Sequence, residues 1–412
     1  MTARRQPAIA FILVTVLIDV MGIGLLLPVI PALVGEFTTS RDAQTYWYGA
    51  LMVTFGLSQF ICSPLLGALS DRYGRRPVLL TSIAGLGTMF FLSAVVTSLP
   101  ALLATRVLGG ALAANFSVAN AYVADISTPE NRAKSFGRIG AAFGIGFIIG
   151  PAIGGTLGSI DIRLPFYAAA ALSLVNALYG LLVLPESLPR ERRKPVQWRK
   201  ANPLSSLAGL ARLKSVGVLV VVIALSTLAQ FILHGTWVLY TGFRFDWGPR
   251  ENGLSLFVVG LASAVMQGLL LGWLLKRLGE RRLVVAGMVS GALAFTLYGL
   301  ATQGWMMYAI IAANLLGFAV APGLNAIVSK AADPREQGLA MGSLSSLGSL
   351  MAVIAPMIGA PLLAEATHLP VGHWRIGAPF FLSAGLQVIA LVLAVIHFRR
   401  HPPTPHIALD RR

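Results

Sequence analysis

A single cysteine in 412 residues, Cys62, leaves nothing for an intramolecular disulfide and no thiolate set for a metal. Charge is scarce too: 12% of residues are Asp, Glu, Lys or Arg, against roughly 25% in an average soluble domain. Acids are the rarer sign, 16 against 32 bases, and the six histidines show no zinc-type pairing. There is no Gly-rich Walker loop either. The sequence therefore gives no footing to an enzyme, and no nucleotide or metal cofactor is expected.

What the chain has instead is apolar length, with 56% hydrophobic residues. Runs long enough for the about 20 residues of a bilayer-crossing helix recur twelve times, from Ala8 to Leu33 at one end to Ile376 to Phe398 at the other. The first run is too long for the apolar part of a secretory signal and has no small-residue cleavage site, so it reads as a retained span. These features predict an all-α integral membrane protein.

Twenty-five of the 32 bases fall in the termini and the even-numbered joints between runs, and five in the odd joints. By the positive-inside rule both termini then face the cytoplasm, and the expected residence is the bacterial inner (cytoplasmic) membrane. The excess of +16 is an orientation signal that also favours contact with anionic membrane lipid. Scattered at membrane edges with no compact domain to carry them, these bases do not make a nucleic-acid surface.

Shifting the chain by 205 residues superposes Gly67, Arg72, Gly74 and Arg76 on Gly272, Arg277, Gly279 and Arg281. The same shift carries Pro129 and Gly137 to Pro334 and Gly342, and Pro151 and Gly154 to Pro356 and Gly359. One offset at three joints implies two parallel six-helix halves. The expected organisation is an amino-terminal half at 1–186, a basic, proline-containing cytoplasmic linker at 187–214 and a carboxy-terminal half at 215–412.

The joint "GALSDRYGRRPVLL" concentrates Gly67, Asp71, Arg72, Gly74, Arg75 and Arg76 between the second and third spans. Positive-inside anchoring accounts for the arginines alone. A conformational latch, able to hold the two halves together on one face, accounts for the glycines and the acid as well.

This arrangement resembles the signature of the major facilitator superfamily, and the resemblance covers the whole chain. "GIGFIIGPAIGG" in the fifth span is similar to the antiporter motif of the drug/proton antiporter branch with twelve helices. "LIDVMGIGLLLPVIPALVGEF", "YVADISTPENRAKSFG", "LPFYAAAALSLVNALYGLLVLPES" and "ANPLSSL" resemble tetracycline efflux proteins. The resemblance implies alternating access of a small-molecule cavity between the halves. It also implies a leak-preventing gate at Gly146, Gly150, Pro151, Gly154 and Gly155, which pack closely as small residues whether or not they gate. Tetracycline exporters typically carry an acid in the third span, a histidine in the eighth and an acid in the ninth. Met89, Ser263 and Gly291 stand there in this sequence, so tetracycline itself and the usual proton route through the second half are not implied.

Of the sixteen carboxylates only Asp19 sits well inside a span. An ionisable group at that depth is costly by a few kcal/mol and is a functional candidate by default. It is the candidate proton-coupling residue, protons being the only coupling species expected; a neutral acid that pins helix packing would give the same pattern. Thr15, Asp19 and Gly22 form one stripe, and Arg106, Gly110, Ala113, Ser117 and Asn120 another. Arg106 is a counter-charge candidate for Asp19 or for an anionic substrate group, or else a structural ion pair. Ser117 and Asn120 are candidate cargo contacts. In the seventh span Gln230, His234 and Trp237 offer a titratable group and an aromatic face to an amphipathic substrate, unless they serve interhelical packing.

The expected function is proton-coupled efflux of a small amphipathic compound by a monomer. An uncoupled facilitator or importer, and a non-transporting membrane receptor or scaffold, remain as alternatives.

Overall fold

The computed structural model describes residues 6–113, 115–128, 131–196, 202, 217–331, 337–370 and 372–401. Pro129, Pro334 and most of the linker, 197–201 and 203–216, lie outside the described residues. The described chain is helical, as a bilayer demands: no water is available there to a loose N–H or C=O, so each span must satisfy its own backbone.

The amino-terminal half contains α1 (Gln6–Leu26), α2 (Arg41–Tyr73), α3 (Arg75–Val95), α4 (Leu99–Leu112 and Asn115–Ile126), α5 (Arg132–Gly158) and α6 (Leu164–Val183). The second half begins with α7 (Gly217–Phe245). A 52-residue apolar stretch, Pro249–Leu300, follows, and Gly279 at φ 74°, ψ 164° divides it into α8 and α9. Next come α10 (Gly304–Ala313, a 3-10 turn Leu315–Ala319, and Val320–Ala331, bent by 53°), α11 (Gln337–Ala364) and α12 (Ala378–Arg400). Counting the divided stretch as two spans and the bent one as one gives the expected twelve.

The internal repeat is visible in backbone geometry. Among the described residues the positive-φ glycines are Gly74 and Gly279, separated by the same 205 positions. The break of α4 at Ala113 has its counterpart in the 3-10 turn of α10. Pro64 lies inside α2, and its partner position Leu269 falls in the π-helical turn Met266–Leu270 of α8. Prolines occupy the first turn of α4, α6, α8 and α12, all at the face opposite the termini, where a missing N–H costs nothing.

The halves meet through two helix pairs, α5 with α8 and α2 with α11. Near the far face both pairs are tight: a Cβ on Gly155 would fall 2.8 Å from the Cα of Gly253, and one on Gly49 2.6 Å from the Cβ of Ala360. Towards the face that carries the termini, a Cβ added at Gly67, Gly137, Gly140, Gly144, Gly268, Gly272, Gly342 or Gly348 would meet nothing within 4 Å. The pairs therefore diverge, and the cleft between the halves is sealed at the far face and open at the terminal one. Arg41 at the start of α2 reinforces the seal by lying 5.3 Å from the ring centroid of Phe243 at the end of α7.

Candidate transport site

The proton-coupling candidate is built by α1 and α6. Asn176 of α6 is fully buried; its Nδ2 donates to the Thr15 carbonyl at 3.4 Å and to Asp19 Oδ1 at 3.5 Å. Its Oδ1 accepts the Thr15 hydroxyl at 3.2 Å. Gly22, one turn on, brings α1 within reach of Ser173. The stripe of Thr15, Asp19 and Gly22 thus lies along α6, with Asp19 half-buried at its edge. Asn176 was not singled out in the sequence, although Ser173, Asn176 and Gly180 show the same three-and-four spacing of small and polar residues that marked α1.

Arg106 is buried at 4% exposure but is not paired with Asp19. Its Nη2 donates to Ser93 Oγ at 2.9 Å, Ser93 exchanges a 2.8 Å hydrogen bond with Thr105, and the guanidinium stands 5.7 Å from the Phe55 centroid. Nε has no acceptor among the described groups. The expected counter-charge role towards Asp19 is therefore corrected: Arg106 reaches across to α3 and α2 near the sealed face. Within α4 the helix is interrupted at Ala113, and Ser117 and Asn120 lie on the stretch beyond it. Ser117 Oγ donates to the Ser63 carbonyl of α2 at 3.3 Å, and Asn120 is half-buried.

In α7 the Gln230 amide and His234 Nε2 lie 3.0 Å apart, with His234 exposed in mid-helix. Trp237 needs correction. It is 2% exposed, donates to Ser255 Oγ of α8 at 3.0 Å and packs edge-on to Tyr298, 5.1 Å between centroids. It belongs to the aromatic core of the second half, with Tyr240 and Phe380, and offers no face to cargo in this conformation.

The glycines of α5 divide by neighbour. Gly146, Gly150 and Gly154 admit the backbone of α1 at Leu17, Met21, Gly24 and Leu25, while Gly155 admits α8 at Pro249 and Gly253. Pro151 sits within the same turn and packs on Gly24. One run of small residues thus joins α5 to its own half and to the other half.

At the joint, Arg75 is the hub. It is 8% exposed and reaches Asp71 at 2.7 Å, Asp125 at 3.1 Å and Ser70 at 2.5 Å, while its backbone N–H donates to Glu186. Arg76 donates to the Leu181 carbonyl at 2.6 Å, Arg72 lies exposed over Tyr73, and Lys194 N–H donates to the Asp71 carbonyl. Gly74, at φ 108°, makes the turn beside Glu186 and Arg193. These contacts tie α2, α3, α4, the end of α6 and the start of the linker; no ion pair between described residues crosses to the other half. With the cleft open on this side, a Cβ added at Gly67 would meet nothing within 4 Å, so no helix packs closely against it.

The sequence matches the Major Facilitator Superfamily over residues 12–356 and again over 219–412, and the chain belongs to that family. It is a multi-pass membrane transporter rather than an enzyme. It is 39% identical to the class C tetracycline resistance protein of Escherichia coli, covering 92% of this chain and 96% of that one. It is 33% identical to the class B protein of the same organism, covering 90% and 92%. Among solved structures, the human organic anion transporter MFSD10 (TETRAN) is 27% identical with a TM-score of 0.70, covering 95% and 99%. An inward-facing, unoccupied bacterial homologue of the human lysosomal transporter Spinster superposes with a TM-score of 0.76 at 15% identity, covering 97% and 98%.

Proposed function

We propose that this protein exports a small amphipathic drug-like compound, of tetracycline type or broader, in exchange for protons by alternating access. The observation that carries the reading is Asp19, a half-buried acid inside α1 held by Asn176 of α6, in a two-half molecule cleft from one face. With the termini cytoplasmic, the open cleft is an inward-facing state ready to take cargo from the cell. The relatedness to tetracycline resistance proteins supports the direction and the class of cargo.

Protonation of Asp19 from the outer side favours release and return of the empty carrier, and deprotonation inward restores affinity. A proton entering down about 100 mV supplies about 2.3 kcal/mol before any pH difference is added. Met89, Ser263 and Gly291, where tetracycline exporters typically carry titratable groups, favour the rival reading of an uncoupled facilitator. Proteoliposomes with an imposed pH gradient separate the two. Efflux of a tetracycline or another amphipathic antibiotic should require the gradient in the wild type and stop in Asp19→Asn, while binding persists. Equal flux through both proteins without a gradient would replace the antiporter by the facilitator.

A further inference from the structure

Where α2 ends and α3 begins, a cavity of about 460 Å³ opens beside the linker, lined by Tyr73, Arg76, Leu80, Thr81, Leu181 and Arg193 among others. Its place is the level at which apolar spans give way to the basic joint. On the membrane side Leu181 and Leu182 are 56% and 77% exposed, and Thr81 is exposed beside them, so the groove between α3 and α6 continues into lipid. Tyr73, 52% exposed, stands at the rim as aromatic residues do at a membrane interface.

The cavity's charges are unequally spent. Glu186 is its acid, and the Arg75 and Leu188 N–H groups occupy one carboxylate oxygen, at 2.9 and 3.0 Å. Arg193 holds the other at only 3.6 Å. Arg76 is fixed by its bond to the Leu181 carbonyl, and its buried Nε has no acceptor, an uncommon state for a guanidinium donor. Arg72, Arg190, Arg192 and Lys194 are exposed nearby, while Asp71 is consumed by Arg75.

We infer that this cavity seats the phosphate head of an anionic glycerophospholipid between Arg76 and Arg193, with an acyl chain laid along Leu80, Thr81 and Leu181. A free phosphate would find apolar wall where the lipid places its chain. A choline head would bring a cation into a net positive setting. The bound lipid fastens the linker, through Arg193, to the first turn of α3.

The test is lipid retention by native mass spectrometry on the delipidated full-length protein, titrated with phosphatidylglycerol, phosphatidylcholine or inorganic phosphate. Phosphatidylglycerol should be retained in preference to phosphatidylcholine, and Arg193→Gln and Arg76→Gln should each weaken it about fivefold. Thr81→Trp, which fills the groove with the charges intact, should weaken it as well, and Arg399→Gln on the opposite half should leave it unchanged. Thr81→Trp and Arg193→Gln keep the test valid if Arg76→Gln fails to fold. Equal loss in Arg399→Gln and Arg193→Gln would reduce the effect to a diffuse field and overturn the site. So would equal retention of phosphatidylcholine, or displacement of the lipid by millimolar phosphate.

Discussion

Replacing Gly155 by alanine should push the transporter out of the conformation described here. The added methyl would stand 2.5 Å from the Pro249 carbonyl oxygen and 2.8 Å from the Gly253 Cα, both backbone atoms, so α5 and α8 must part by the better part of an ångström. Overpacking of that kind costs about 1–3 kcal/mol. The cost falls only on the state in which the far-face seal is shut, so the population ratio of the two states should move about 5- to 150-fold towards the outward-open one. Gly144 is the counter-experiment. It lies on the same helix with nothing within 4 Å here, so Gly144→Ala should burden only the closing of the terminal face and shift the ratio the other way. With Cys62 replaced by serine, a reporter cysteine at Ala141 on the open wall of α5 reads the ratio through its rate of modification by an impermeant maleimide in inside-out vesicles. The rate should fall in Gly155→Ala and rise or hold in Gly144→Ala. Unchanged labelling in a well-folded Gly155→Ala protein would mean that this contact is not part of the seal, and the reasoning would fail.

Three further outcomes are expected. Asn176→Leu removes hydrogen bonds to Thr15 and Asp19 from a buried site and should cost about 1–3 kcal/mol, read as a lower melting temperature. If Asn176 also sets the proton affinity of Asp19, the pH profile of transport will move in the milder Asn176→Ser. Gly74→Ala and Gly279→Ala both force alanine into positive φ, a strain of about 1–3 kcal/mol, but only the former also meets Glu186 and Arg193. Thermal melts should rank Gly74→Ala as the worse, and equal losses would count against the linker clamp. Arg106→Met removes a buried cation that no described acid neutralises, so the melting temperature should hold within a few degrees while transport of anionic cargo falls.

The architecture was legible in the sequence to an unusual depth because a duplicated membrane protein writes its plan in sparse, costly residues. The 205-residue offset pairs Gly74 with Gly279 before any backbone angle is known, and twelve apolar runs follow from bilayer thickness. The site was harder to read. A helical period shows that residues share a face but not what that face meets: Trp237 meets α8 and α9 while His234 of the same stripe is exposed, and the stripe holding Asp19 meets α6. In an apolar span the polar residues can face a neighbouring helix as readily as a cleft, since both spare them from lipid. The break at Ala113 was invisible for a different reason, for the sequence stays apolar enough on both sides to read as one span and only backbone geometry records it.

That break carries a mechanical consequence. Gln59 of α2 donates to the Ala113 carbonyl at 3.3 Å, a bond made at a depth where the bilayer offers no water in its place. On α2 this amide lies between Gly49 and Gly56 at the shut end and Asp71 at the open one. Any flexing of α4 therefore pulls on a rod whose two tips touch the far-face seam and the arginine hub. Gln59 is thus the mid-membrane tie between α2 and the interrupted α4.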